Sequence, residues 1–242
     1  EVLTPARDWQ ALLEGSHLLV FPAADPNALV TLAFYLAQGG QLQDEQGRPT
    51  LTESALLNVL DYYQQAAAVS LMPFWLTQSE NDEQAWATFT AEQHPMLITW
   101  VSAYLAAQRA ATTNLALARL PTADGNSFTL ATGWTWALAS QDPLRRELST
   151  RLAEFLVDET FLGEWTQAAG YLPTRPEALA GWSNSTLRTV GEQIAGSAQL
   201  IPPTDVLANL GPVFEQATVT ILKAESTPQS AVQTALEKLS TP

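Results

Sequence analysis

The segment from Gly133 to Ser140 reads Gly-Trp-Thr-Trp-Ala-Leu-Ala-Ser and constrains the fold more than any other part of the chain. Its apolar, aromatic-rich character predicts a strand that ends in small residues. A helix is predicted directly after it, because Asp142 suits the N-cap and Pro143 suits the first helical position, where its missing N–H leaves no hydrogen bond unmade. Apolar residues at helical spacing give this helix a stripe: Leu144, Leu148, Leu152, Phe155 and Leu156. Strands that alternate with helices indicate an α/β fold.

A second helix is predicted between an Asp158 cap and a closing Gly170, followed by the turn Tyr171-Leu172-Pro173-Thr174-Arg175-Pro176. This order resembles the extracellular solute-binding proteins of ABC importers, carbohydrate-binding type. In that family a Gly-Gly-Trp strand, a helix, a second helix and a Gly-x-Leu-Pro-Thr-Arg turn recur together. The passage from Gly39 to Tyr63, a double glycine, a polar turn and a long helix, also resembles the family.

The resemblance implies an α/β, periplasmic-binding-protein-like fold of two lobes that close around a ligand by hinge motion. It covers nearly all 242 residues, but the family is longer and begins with a βαβα unit upstream of the matching part. We therefore expect one complete lobe plus part of the second lobe. Residues 1–126 would form the main part of the carboxy-terminal lobe, 127–179 a partial amino-terminal lobe, and 180–242 the return to the first. The 127–179 portion, lacking its sheet partners, should expose strand edges and apolar surface.

Charge and composition exclude several classes of function. The net charge is −14, from 25 acidic and 11 basic residues, and such a field repels a phosphate backbone and favours a neutral ligand. The chain has no cysteine, which excludes disulfides and cysteine-bound zinc, and His17 and His94 lack metal-site spacing. No phosphate-binding glycine loop and no Gly-x-Ser-x-Gly elbow occurs. We therefore predict no catalytic residue, no metal and no cofactor.

Aromatic side chains are the first candidates for binding a ligand. The eight tryptophans and five tyrosines suit a sugar, because the C–H faces of a pyranose pack on aromatic rings. The resemblance places Trp100, Trp134 and Trp136 where the family has its cleft aromatics. The alternative is that they belong to the core, as aromatic residues in strands usually do. The other five tryptophans are interpreted as structural: Trp9, Trp75, Trp86, Trp165 and Trp182.

Polar candidates complete the expected site. The family often contacts its ligand near the helix that follows Pro26, which indicates Asn27 and Tyr35, whereas Asp25 is better explained as a helix cap. Asn27 offers both a donor and an acceptor to a sugar hydroxyl. Asn209 lies where the family has a late cleft contact, although the Gly-Pro after Leu210 can also serve only to shape a helix. Arg175 is the last candidate, and its turn is more often structural in the family.

The predicted function is therefore extracytoplasmic binding of a solute, a mono- or oligosaccharide, for uptake by an ABC permease. The location follows from the resemblance, with a signal peptide and, for a cell-surface lipoprotein, an anchor expected outside this chain. Neither an enzyme nor a nucleic-acid-binding protein is expected. Two alternatives remain open. One is a non-catalytic α/β interaction domain derived from the same fold, and the weaker one is a glycoside-processing enzyme.

Overall fold

The computed structural model describes residues 5–15, 17–110 and 115–240 and divides into two compact units. The first unit comprises Glu1–Thr99, Leu120–Leu130 and Ile201–Pro242, and the second comprises Trp100–Arg119 and Ala131–Leu200. The second unit therefore extends beyond the predicted 127–179 segment on both sides. Which unit corresponds to which lobe of the family stays a prediction.

Helices predominate over strands in the described chain, which confirms the predicted α/β class with a partial lobe. In chain order the elements are α1 (Trp9–Gly15), β1 (Leu19–Val20), α2 (Leu29–Ala37), α3 (Glu53–Ala68), α4 (Asp82–Glu92), β2 (Met96–Leu97), α5 (Val101–Arg109), β3 (Thr129–Ala131), α6 (Pro143–Leu156), α7 (Glu159–Ala169), α8 (Ser185–Gly196), β4 (Ala198–Leu200), α9 (Thr204–Leu222) and α10 (Pro228–Ser240). Two 3₁₀ helices lie at Phe74–Gln78 and Pro176–Gly181. None of the helices described is long and apolar enough to cross a membrane.

The strands form two small sheets. In the first, β1 and β2 run parallel, with Leu19 opposite Met96 and Val20 opposite Leu97. Neither sheet exceeds two strands, so packing between helices supplies most of the core in the described part.

The strand predicted over Gly133–Ser140 is wrong. Regular pairing in that region stops at Ala131, and the backbone from Thr132 to Gln141 has no ladder partner. A strand persists only when another strand receives its N–H and C=O groups, and sequence alone does not supply that neighbour.

The exposed apolar surface predicted for residues 127–179 is confirmed, and it belongs to the second unit. Its large exposed apolar side chains are Trp134, Trp136, Leu138, Leu144, Leu148, Leu152, Phe155, Trp165, Tyr171 and Leu200. In the described part of the first unit the corresponding set is Val69 and Phe74. Large exposed apolar patches mark surfaces that bind proteins, membranes or ligands.

The predicted helix ends are correct where the deciding residue belongs to the helix or directly flanks it. Asp142 accepts a hydrogen bond from the Arg145 N–H at 2.9 Å and so caps α6. Gly170 ends α7 with φ 81°, in the left-handed region that a glycine adopts without strain. Thr52 stands at the N-cap position of α3, but its hydroxyl accepts from the Gln41 N–H and caps no helical N–H.

The core of the first unit is rich in aromatic rings. Trp9 stacks on Tyr62 with 4.4 Å between ring centroids and meets Phe34 edge to face at 5.3 Å. The Trp9 indole N–H donates to the carbonyl oxygen of Pro121 at 3.2 Å. The structural interpretation of Trp9 therefore agrees with its position.

A chain of buried hydroxyl groups joins α2, α3 and α9. Thr218 donates to the Phe214 carbonyl at 2.8 Å, so its oxygen must accept from Thr31, 2.7 Å away. Thr31 has then used its own proton and accepts one from the Tyr63 hydroxyl at 2.9 Å. Every proton in this chain has an acceptor, and the direction of donation is fixed.

Tyr62 and Tyr63 offer a matched pair of substitutions, because only Tyr63 uses its hydroxyl. Tyr62 is 3% exposed and its hydroxyl has no hydrogen-bond partner among the described residues. We expect Tyr63→Phe to lower the free energy of unfolding by about 1–2 kcal/mol, and Tyr62→Phe to leave it unchanged or raise it by about 1 kcal/mol. Chemical denaturation followed by circular dichroism measures both. An equal loss in the two variants would contradict the hydroxyl chain.

Stability should fall in alkaline solution. Burial raises the pKa of Tyr35, Tyr62, Tyr63 and Tyr104 above the ordinary value for tyrosine. In the unfolded chain these groups ionise near pH 10, so above that pH the folded state holds more protons than the unfolded state. The stabilisation is complete below about pH 10 and decreases as the pH rises. The decrease is up to about 1.4 kcal/mol per pH unit for each of the deeply buried Tyr62 and Tyr63. Denaturation at pH 8 and at pH 11, with tyrosinate absorbance as a monitor, tests this. Tyrosinate forming near pH 10 in a folded Tyr171→Phe variant, which lacks the exposed tyrosine, would contradict it.

The second unit has a smaller core, formed by Tyr104, Leu105, Leu179 and Trp182. Trp182 is 2% exposed, and its indole N–H donates to the Gly163 carbonyl at 3.0 Å. This bond ties the segment after the 3₁₀ helix Pro176–Gly181 to α7.

Candidate functional site

The turn Asp25–Ala28 presents Asn27 at the surface of the first unit. The Asp25 carboxylate accepts from the backbone N–H groups of Asn27 and Leu29, each at 3.0 Å, which is the geometry of a cap at the start of α2. Ala28 holds a left-handed conformation with φ 47°. Asn27 itself is exposed, so its amide is available to solvent.

Helix α9 approaches this turn closely because Gly211 has no side chain. A Cβ atom at Gly211 would lie 3.0 Å from the Asn27 Cα and inside contact distance of the Pro26 carbonyl oxygen. Asn209, two residues earlier on α9, is also exposed. Its amide N–H donates to the Asp205 carbonyl at 2.7 Å, which leaves the amide oxygen free to accept a further hydrogen bond. The structure thus brings the backbone of Asn27 against the helix that carries Asn209.

The structure does not support Tyr35 as a ligand contact. Its side chain is 0% exposed and tilts against Phe214 with 5.0 Å between ring centroids. Its hydroxyl donates to the Gln41 carbonyl and accepts from the Thr52 N–H at 2.7 Å. Tyr35 therefore holds the turn between α2 and α3, and both hydrogen-bonding functions are used within the protein.

The aromatic candidates lie in the second unit. Trp100 is half-buried at the N-cap position of α5. Trp134 is 87% exposed and Trp136 is 59% exposed, in the segment that lacks strand pairing. The interpretation of these two residues as core residues therefore fails within the described chain. Their predicted contact with a ligand stays a prediction.

Arg175 is exposed at the N-cap of the 3₁₀ helix Pro176–Gly181. The neighbouring Pro173 and Leu179 are buried, so the turn has a structural function whatever Arg175 contacts. The remaining candidates thus fall in both units, with Asn27 and Asn209 in the first and the three tryptophans and Arg175 in the second.

A groove of about 900 Å³ in the first unit was not predicted from the sequence. It lies between the end of α3 and the connection from α9 to α10, and the exposed Phe74 is part of its wall. Two residues in its wall, Ser70 and Ala224, have left-handed backbones at φ 61° and 56°. Neither is a glycine, so no sequence signal marked these bends. None of the candidate residues lines this groove.

Ionisable side chains in the described ranges form no group of three or more that would hold a metal ion. Pairs of adjacent acidic residues lie in turns and at helix caps, such as Asp44-Glu45 in a turn and Asp158-Glu159 at the start of α7. Asp44, for example, accepts from the Arg48 backbone and guanidinium, and these bonds lower the pKa of its carboxyl group. Such contacts organise a polar turn.

Comparison with protein-family models identifies the relatives of this chain. The model for bacterial extracellular solute-binding proteins matches residues 4–189, which is most of the sequence. The chain belongs to this family. The family assignment predicted from the Gly133–Arg175 region is thereby confirmed, and the family's extracellular character agrees with the predicted location.

Solved structures share the fold at low sequence identity. They include the maltose/maltodextrin-binding domain MalE from Bdellovibrio bacteriovorus bound to maltotriose, with a TM-score of 0.68 and 19% identity. A cyclo/maltodextrin-binding protein complexed with maltotetraose has a TM-score of 0.74 and 18% identity. A solute-binding protein from Thermotoga lettingae bound with α-D-tagatose has a TM-score of 0.66 and 20% identity. No curated protein sequence matches this chain.

Nearly the whole chain takes part in these matches, but the relatives are longer. The matches cover 98% of this chain and 67%, 65% and 64% of the three solved chains. About a third of the length of each relative therefore has no counterpart here. The comparison shows that the chain shares the solute-binding fold. The binding activity of the whole protein is proposed below.

Proposed function

We propose that this chain is the larger part of an extracytoplasmic binding protein that captures a sugar and delivers it to an ABC permease in the membrane. The observation that carries the proposal is the match of residues 4–189 to bacterial extracellular solute-binding proteins. The bound sugars named for the three solved relatives support a mono- or oligosaccharide as the ligand. The net charge of −14 also favours a neutral ligand over an anionic one.

The exposed candidates match the chemistry of a sugar. Asn27 and Asn209 offer amide donors and acceptors for hydroxyl groups, and Gly211 keeps their two segments together. Trp100 and Trp134 offer ring faces for the C–H surface of a pyranose. Arg175 and Trp136 are secondary candidates, each exposed in the second unit. None of these roles requires a covalent step, so the proposed protein binds its ligand and does not transform it.

Isothermal titration calorimetry with maltotriose, maltotetraose and D-tagatose tests the proposal. Two samples are compared: this chain, and an extended polypeptide in which the natural coding sequence on the amino-terminal side of Glu1 is included. We expect saturable binding of at least one sugar by the extended polypeptide. We expect weak or no binding by this chain, because a cleft between two lobes needs both walls. No binding by either sample would favour the interaction-domain alternative, and turnover of chromogenic glycosides would favour the enzyme.

Trp134→Ala in the extended polypeptide should weaken sugar binding by about 1–3 kcal/mol, or about 5- to 150-fold in Kd. The reason is that stacking a sugar on the indole buries a large apolar face that is 87% exposed here. Trp165→Ala is the matched control, because Trp165 is also exposed in the second unit and is interpreted as structural. Unchanged affinity in a folded Trp134→Ala variant would remove Trp134 from the site.

A further inference from the structure

The groove beside Phe74, which lies wholly in the first unit, combines an apolar lining with polar groups. Its volume of about 900 Å³ falls in the range of clefts that hold ligands. The apolar part includes the buried Ile221 and Leu222 and the ring of Phe74, which is 61% exposed. Amide and hydroxyl groups are supplied by Gln64, Ser226, Thr227 and Ser230. A ligand in this groove can therefore bury apolar surface and form hydrogen bonds at the same time.

Two residues in the lining hold a strained backbone. Ser70 and Ala224 have φ angles of 61° and 56° and follow the ends of α3 and α9. They are two of the four non-glycine residues with positive φ in the described chain. A glycine takes this conformation without strain, so the side chains at both positions lower the stability of the fold. Residues kept in such conformations cluster at ligand sites, and the two strained residues of this groove indicate one.

The electrostatic features of the groove favour a positive charge. Glu225 is the one charged side chain among the described residues of the lining, and Lys223 lies outside it. The groove is also lined by the C-terminal ends of α3 and α9, which carry the negative pole of the helix dipole. The N-terminal end of α10, at Pro228, is a single positive pole beside these two negative poles and a carboxylate. A cationic group is therefore the preferred charged ligand.

Negative charge is concentrated in the unit that contains the groove. By sequence the first unit has 17 acidic and 4 basic residues, whereas the second has 8 and 7. The net charge of −14 therefore belongs almost entirely to the first unit. A field of this sign attracts cationic partners and speeds their encounter with the surface. The field selects no particular site, and the groove with Glu225 provides one.

We propose that the groove beside Phe74 binds a cationic segment of another polypeptide. A Lys or Arg side chain of the segment pairs with Glu225, and an apolar side chain packs against Phe74. Most residues of the lining are exposed, so a small molecule would not reach the roughly 70–90% burial that small-ligand sites give. A peptide segment gains instead from several contacts along the groove. None of the candidate sugar contacts lines the groove, so the proposal is independent of the proposed function.

Isothermal titration calorimetry on this chain with three matched peptides tests the proposal. The peptides are acetylated and amidated and read Leu-Lys-Ala-Leu-Arg, Leu-Gln-Ala-Leu-Gln and Leu-Glu-Ala-Leu-Glu. We expect one-to-one binding of the cationic peptide, binding at least about tenfold weaker for the neutral peptide, and none for the anionic peptide. The affinity for the cationic peptide should fall severalfold between about 20 and about 300 mM NaCl, because salt screens charges that lie close to solvent.

Groove variants separate a site from general attraction. We expect Phe74→Ala/Glu225→Gln to weaken binding of the cationic peptide by about tenfold, because the apolar contact and the ion pair are lost. Glu45→Gln is the matched control, because it removes the same charge from an exposed turn of the first unit outside the groove. It should change the affinity by less than about twofold. In two-dimensional NMR of the unaltered chain, the backbone amide signals of Ser70 and Ala224 should shift as the cationic peptide is added.

Four results would overturn the proposal. The first is that the cationic peptide does not bind, or binds no more tightly than the neutral one. The second is equal weakening by Glu45→Gln and by the groove double variant, which would show attraction to the overall charge alone. The third is an acetylated, amidated lysine that binds as tightly as the whole peptide, which would indicate a small-molecule site. The fourth is a dimer of this chain, seen by analytical ultracentrifugation, that Phe74→Ala dissociates, since the groove would then join two copies.

Discussion

Trp182→Ala is expected to lower the free energy of unfolding of the second unit by about 3–5 kcal/mol, the cost of removing a large buried aromatic side chain. Trp182 is 2% exposed and belongs to a core cluster of only four buried residues with Tyr104, Leu105 and Leu179. The variant also leaves the Gly163 carbonyl without the N–H that bonds it at 3.0 Å.

Hydrogen exchange measures this loss of stability at the individual elements of the second unit. We expect backbone amides of α7 and of the 3₁₀ helix Pro176–Gly181 to lose protection, because Trp182 joins these two elements. Trp182→Phe separates the two contributions, since it keeps most of the apolar volume and removes the N–H, and it should cost about 1–3 kcal/mol. Trp165→Ala is the control, because the Trp165 side chain on α7 is 43% exposed. It should lower the free energy of unfolding by much less than Trp182→Ala does. Unchanged protection of α7 in Trp182→Ala would show that the second unit has another core.

The parts of the fold that the sequence predicted well depend on neighbours close along the chain. The Asp142 cap, the Pro143 start of α6 and the Gly170 end of α7 each involve a side chain or dihedral angle of the helix itself. Helix α8 carries the same kind of signal, because Asn184 accepts from the Leu187 N–H at 3.0 Å, but α8 is not among the predicted helices. The sequence signal for this helix is an Asn at the N-cap followed by apolar residues at helical spacing.

The parts that failed depend on residues distant in the chain. The Gly133–Ser140 strand has the right composition, but a strand exists only with a partner. Tyr35 is a predicted ligand contact because it lies in the helix near which the family often contacts its ligand. Its hydroxyl, however, is hydrogen-bonded to Gln41 and Thr52. The groove beside Phe74 depends on two left-handed residues that are not glycines. In each case the deciding contact is absent from the local sequence pattern.

Gly211→Ala is expected to destabilise the first unit, although alanine is the better helix former. In an open helical position the change would be favourable by about 1 kcal/mol. At Gly211 the new Cβ would meet the Pro26 carbonyl oxygen and the Asn27 Cα, both backbone atoms that no side-chain rotation can move. We expect a net loss of about 1–3 kcal/mol, the usual cost of overpacking. Gly196→Ala is the control, because no atom lies within 4 Å of its added Cβ. It should keep the stability of the protein or raise it by up to about 1 kcal/mol.

The same variant tests whether Gly211 positions the proposed ligand contacts. Relief of the clash requires the Asp25–Ala28 turn to move away from α9, which separates Asn27 from Asn209. We therefore expect Gly211→Ala to weaken sugar binding by the extended polypeptide severalfold at a temperature where the variant is fully folded, while Gly196→Ala leaves the affinity unchanged. Thermal denaturation identifies that temperature and calorimetry gives the affinity. A folded Gly211→Ala variant with native affinity would show that the spacing of these two segments does not matter to the ligand, and Asn27 and Asn209 would then not act together.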